Sequence, residues 1–157
     1  MILASGTELS FIPDFSTRLS DEQKERWKEW IKALRSGEYK QIIGSLKLKD
    51  GFCCLGVGTD IAVKAGIGKW HQRKSGLFSF HGAVTDDNAS LLAREVQMFF
   101  GAPTCAGFDV KGVNPDEQAF EGSLSSLNDN RYATFPEIAE ILEVALNGGR
   151  SSGQLAS

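Results

Sequence analysis

A single α+β domain is the fold class this sequence predicts, and three observations carry that reading. Two amphipathic segments bear full helix-start signals, around Ser20 to Gln23 and around Thr134 to Glu137. An Asp50-Gly51 pair separates two apolar runs, which is a hairpin signal. Leu77-Phe78-Ser79-Phe80-His81 alternates in the manner of a half-buried strand. The expected architecture is a small antiparallel sheet, built from a hairpin over 39–54 and a strand over 77–81, packed against about four helices. A chain of 157 residues suits one such domain, spanning 1–149, and can bury roughly two thirds of its unfolded surface. Hydrophobic residues at 41% and charged residues at 24% match folded soluble proteins and exclude bulk disorder.

Residues 1–18 mix Phe11, Ile12 and Phe15 with Pro13 and Asp14 without helical or strand period, and read as an irregular arm. From Ser20 the capping-box pattern Ser20-x-x-Gln23 starts a helix over 20–36. Trp27, Trp30, Ile31 and Leu34 form its buried face, and Gly37 ends it. Its outer face carries charges of both signs and reads as solvated. After the hairpin, Phe52, Cys53 and Cys54 lead into a helix over 55–65, stopped by Gly66. Gly56 and Gly58 inside that helix each cost about 1 kcal/mol relative to Ala, which points to close approach of another backbone or to a later helix start.

Residues 67–76 read as a basic loop and 77–81 as a strand. Asp86, Asp87 and Asn88 supply turn and cap chemistry before a helix over 90–100, whose apolar side is Leu91, Leu92, Val96, Phe99 and Phe100. Residues 102–126, rich in Gly, Pro, Ser and Asn, read as a long loop. The last helix, 135–147, has a Thr134/Glu137 capping box, Pro136 in its first turn and a stripe of Phe135, Ile138, Ile141, Leu142 and Ala145. The small polar stretch 150–157 reads as a flexible tail.

Charge narrows the function classes. Lys and Arg total 17 against 20 Asp and Glu, a net charge of -3, which argues against general nucleic-acid binding and equally against a DNA mimic. No apolar run approaches the roughly 18 residues of a membrane span, and the start Met1-Ile2-Leu3-Ala4-Ser5-Gly6 lacks a basic signal-peptide head. A cytoplasmic protein without a membrane partner is expected. Three cysteines then read as free thiols.

Adjacent thiols where a strand passes into a helix invite two readings. A helix N-terminus lowers a thiol's pKa, so Cys53 or Cys54 is a candidate nucleophile, with His81 as base and Asp86, Asp87 or Asn88 orienting the imidazole. Strand alternation, however, sends the two side chains to opposite faces, so at least one belongs to the core. Cys53, Cys54, Cys105, His71 and His81 supply zinc-ligand types, but no C-x-x-C pair occurs and no metal is expected. Gly56-x-Gly58 lacks the rest of a phosphate loop, so no cofactor is expected either. A binding reading rests on Trp70-His71-Gln72-Arg73-Lys74, where a ring and cations lie together. Asn128, Asp129 and Arg131 are read as an opposing wall.

Several phrases carry a resemblance. They are Trp30-x-x-Ala33-Leu34-x-Ser36-Gly37-x-Tyr39-x-Gln41, then Asp50-Gly51-Phe52-Cys53-Cys54-Leu55-Gly56-Val57 with Asp60 and Ala62, then Leu92-Ala93-Arg94-Glu95-Val96-Gln97. Leu127-Asn128-Asp129 followed by Phe135-x-Glu137-Ile138-Ala139-Glu140-Ile141-Leu142-Glu143 completes the set. Together they resemble a family of small proteins encoded by tailed phages and prophages. Where that pattern has a further cysteine this chain has Thr59, which counts against a shared multi-cysteine metal site. The resemblance implies a phage gene product in the host bacterial cytoplasm. It implies an accessory protein that binds and neutralises a host factor, a defence protein or a nucleotide signal, with a Cys-dependent hydrolase or transferase as the rival.

Overall fold

The computed structural model describes residues 1–151. The chain begins with Met1 anchored beside β1 (Glu8–Phe11) and continues into α1 (Asp21–Arg35). Three two-residue strands follow: β2 (Lys40–Gln41), β3 (Lys47–Leu48) and β4 (Gly51–Phe52). Then come α2 (Cys54–Lys64), β5 (Gly68–Gln72), β6 (Leu77–Gly82) and α3 (Arg94–Phe100). A second β-unit, β7 (Asp109–Val113) and β8 (Ala119–Ser123), precedes α4 (Leu124–Asp129) and α5 (Phe135–Leu146). The result is the expected α+β domain, with one sheet ordered β2-β4-β3-β6-β5 and another ordered β1-β7-β8.

Helix α1 forms as its start signal predicts: Ser20 accepts from Gln23 N–H, and the Gln23 side chain returns to the Ser20 N–H. Its buried face carries Trp27 and Trp30, both fully enclosed. Each indole finds a backbone acceptor, Trp27 at Phe100 O (2.7 Å) and Trp30 at Cys54 O (3.1 Å). These bonds matter because an enclosed indole N–H without a partner is costly. They tie α1 to α3 and to the first residue of α2, which is itself buried over nearly its whole length.

The glycines of α2 have the reason their cost implied. A Cβ on Gly56 would stand 1.7 Å from the Leu46 carbonyl oxygen, so helix and β3 approach meet backbone to backbone. Gly51 is similar, since a Cβ there would lie 2.3 Å from Ile42 Cγ2. The Asp-Gly signal therefore marks a hairpin correctly, while its glycine serves packing. The helix starts at Cys54, a residue or two before the expected position, because Cys53 takes the cap role.

Several expectations need correction. The 102–126 stretch is not a long loop: β7 and β8 pair over their full five residues, and β1 from the supposedly irregular arm adds to β7. Leu9 and Val110 bury inward while Glu8, Asp109, Lys111 and Glu121 stay out, an alternation that glycines and short length obscured. The third helix begins at Arg94 rather than 90. The larger sheet is mixed rather than purely antiparallel, because β2 runs parallel to β4. Of the expected tail, Arg150 and Ser151 are described and Arg150 pairs with Ile12 in both directions; residues 152–157 lie outside the described residues.

Candidate functional site

At the head of α2, Cys53 is the N-cap and its sulfur accepts from Gly56 N–H at 3.3 Å. Cys54 is fully enclosed and its thiol donates to Leu124 O at 3.6 Å. Burial pushes the Cys53 thiol up to about 11, and the backbone N–H groups of Gly56 and Leu55 offset only part of that. Burial pushes Cys54 well above its ordinary value too, with Cys53 and Asp129 adding repulsion. The helix N-terminus is present, as the nucleophile reading required, but desolvation wins.

The base assigned to that reading is elsewhere. His81 lies on β6, two strands from β4, or about 10 Å at ordinary strand spacing. It also lies on the opposite face of the sheet. Trp70, aligned with Phe80, meets α2 through Asp60, whereas His81 shares a face with Ser79 and His71. The His81 ring contacts Ser79 Oγ (3.2 Å), Asp86 Oδ1 (3.4 Å) and the His71 ring (5.2 Å between centroids). His81 and Asp86 do come together; neither Cys53 nor Cys54 joins them. Cys105 is exposed, and among the described residues no three His, Cys, Asp or Glu side chains are grouped to hold a metal ion.

Asn128, expected on a binding wall, is instead a buried pin. Its Oδ1 accepts from Gln41 Nε2 (2.8 Å) and Cys54 N–H (3.2 Å), and its Nδ2 donates to Ile42 O (2.8 Å) and Asp129 Oδ1 (3.0 Å). Gln41 extends the network to Ala133 O and Phe135 N–H, and Asp129 to Gly44 N–H. One amide thereby fixes β2, the head of α2 and the α4–α5 turn. Arg131 follows in that turn, exposed and left-handed at φ 59°, beside a cleft of about 460 Å³ lined by Ser5, Gln41, Ile43, Tyr132 and Glu137. A larger cleft of about 650 Å³ lies between α1 and α5, where Arg35 is committed to Glu143 at 2.9 Å.

Trp70, His71, Arg73 and Lys74 sit at the other end of the sheet. Trp70 to Gln72 belong to β5, and the turn is confined to the residues after them, closed by Gly76 N–H to Arg73 O. Four strand spacings separate β5 from β2, about 19 Å, so the two expected walls of one site are two separate regions. His71 and Lys74 are exposed; Arg73 pairs with Asp87, which holds that carboxyl below its usual value. Trp70 is half-buried and donates to Asp60 Oδ1 at 3.0 Å.

Two groups escaped sequence reasoning. Asp60 also accepts from Tyr39 OH (2.6 Å) and pairs with Lys64 (3.2 Å). Burial pushes its carboxyl up, but the bonds from Tyr39, Trp70 and Lys64 together outweigh it and hold the group below its ordinary value. The Asp60/Lys64 spacing of four was the available signal. Lys47, cross-strand from both Phe52 and Phe78, places its ammonium 5.0, 4.2 and 5.5 Å from the ring centres of Phe52, Phe78 and Trp70. Only the cross-strand register shows that slot.

No helix among the described residues is long and apolar enough to cross a membrane. No curated protein and no solved structure matches the chain. A family model does match, over residues 21–146, from the start of α1 to the end of α5. The chain therefore belongs to the family described as Domain of unknown function (DUF8296).

Proposed function

We propose that this protein acts by binding rather than by thiol chemistry, and that β5 with the basic turn after it is its working surface. The observation that supports this is the division of its chemistry. The adjacent thiols are enclosed and raised, while Lys69, His71 and Lys74 stand exposed along a sheet edge. A surface of this kind suits neutralisation of a host protein or a nucleotide signal, as the resemblance to phage-encoded proteins implies, and the place of action is then the bacterial cytoplasm. The test is capture of a partner at stoichiometric yield from host lysate, together with thermal-shift titration of nucleotides. We expect one of the two to register with the native chain and to be lost in Arg73→Glu/Lys74→Glu. Absence of any partner and any nucleotide shift would refute the proposal.

A further inference from the structure

We infer that the outer edge of β5 receives an extended acidic segment of a partner protein as an added antiparallel strand; this rests on the binding reading above and specifies its partner. β5 ends the larger sheet, so among the described residues no strand lies beside its outer edge. The register says which groups occupy that edge. Phe80 N–H donates to Asn88 O at 2.6 Å and Phe80 O accepts from Asn88 N–H at 3.2 Å, so both backbone groups of Phe80 point away from β5. Backbone groups alternate along an antiparallel strand, so Ser79 and His81 point toward β5, where their partners are His71 and Lys69. The bond from Arg73 N–H to Leu77 O keeps the same parity. It follows that Trp70 and Gln72 direct N–H and C=O outward, as an incoming strand requires.

Side chains then select the strand. Lys69 and His71 are exposed on one face, and Lys69 and Lys74 have no carboxylate partner among the described residues. Asp86 and Asp87 engage His81 and Arg73, which leaves the edge itself to cations. A partner residue opposite Lys69, and another opposite His71, would stand in close non-hydrogen-bonded pairs on that face, where acids are favoured. The residue between them would lie on the other face against the half-buried Trp70 ring, where an apolar side chain fits. The recognised pattern is thus acid, apolar, acid. A second copy of the chain does not meet it, because antiparallel pairing of two β5 strands opposes Lys69 and His71 with the same two residues.

A lysine on an edge strand can also act purely as a guard against unwanted pairing. A seven-residue fluorescent peptide of alternating Glu and Val separates the two roles. We expect saturable binding to the whole protein, kept in Gln72→Ala and weakened about tenfold or more in Gln72→Pro, which removes one outward N–H and no ladder bond. Should Gln72→Pro unfold the chain, a peptide N-methylated on the groups facing β5 makes the same comparison with the native protein. Lys69→Glu/His71→Glu should reject the Glu/Val peptide and accept a Lys/Val one. No binding of the Glu/Val peptide, or equal binding with and without the blocked N–H, would overturn the inference and leave Lys69 a guard. If the peptide fails while lysate capture or a nucleotide shift succeeds, strand addition falls and the binding reading stands; if all fail, both fall.

Discussion

The head of α2 and the edge of β5 use similar side chains in opposite settings. Around Cys54, an amide and two thiols are enclosed, and the Asn128 side chain is bonded at both ends. Along β5 and the turn after it, an imidazole and two ammonium groups stand in water, with one backbone edge unpaired among the described residues. Groups of the first kind are held in place and lose reactivity through desolvation. Those of the second kind contribute little to stability and are free to meet another molecule. Residue type alone therefore misleads: the most reactive side chain, a thiol at a helix N-terminus, is the least available.

This contrast can be broken most sharply at Gly56. Replacing it with Ala drives a Cβ into the Leu46 carbonyl, and we expect a loss of at least about 4 kcal/mol in urea unfolding, or no folded protein. Asn128→Ala comes next. It strands the enclosed Cys54 N–H and deletes the other three bonds, for an expected cost of about 3 kcal/mol by the same measurement. Asp60→Ala should cost about 2 kcal/mol, since it frees Tyr39 OH and the Trp70 indole N–H. Because Asp60 is held below its ordinary value in the folded state, its contribution is whole above the unfolded carboxyl pKa of about 3.9 and fades as pH falls through the folded value. Acid titration of stability should accordingly be flatter in Asp60→Asn. At the far end of the scale, Lys69→Ala and Lys74→Ala should leave the urea midpoint where it is. A large shift from either would erase the distinction between the two regions.

Much of the fold was legible from local chemistry. The α1 and α5 caps, the Trp27/Trp30 face and the hairpin at Asp50-Gly51 appear where their patterns place them. The cost of Gly56 correctly announced a backbone contact, though not its partner, Leu46. What local pattern misses is long-range pairing: β1 with β7 joins residues about a hundred positions apart, and short glycine-bearing strands give weak alternation. The candidate site was half legible for the same reason. The stretch Trp70 to Lys74 does leave His71 and Lys74 exposed, but their strand and its open edge appear only once β6 is in register. Asn128 reads in the sequence as part of a binding wall, and three-dimensional contacts alone reveal it as core.

The central claim, that the double-cysteine junction is architecture, meets its most direct test in native alkylation at neutral pH, with Cys105 as internal reference. Time-resolved iodoacetamide labelling and peptide mapping should show Cys105 modified promptly, and Cys53 and Cys54 only at the rate of global unfolding. Native labelling of Cys53 or Cys54 as fast as Cys105 would contradict the account and return the thiols to candidacy as nucleophiles.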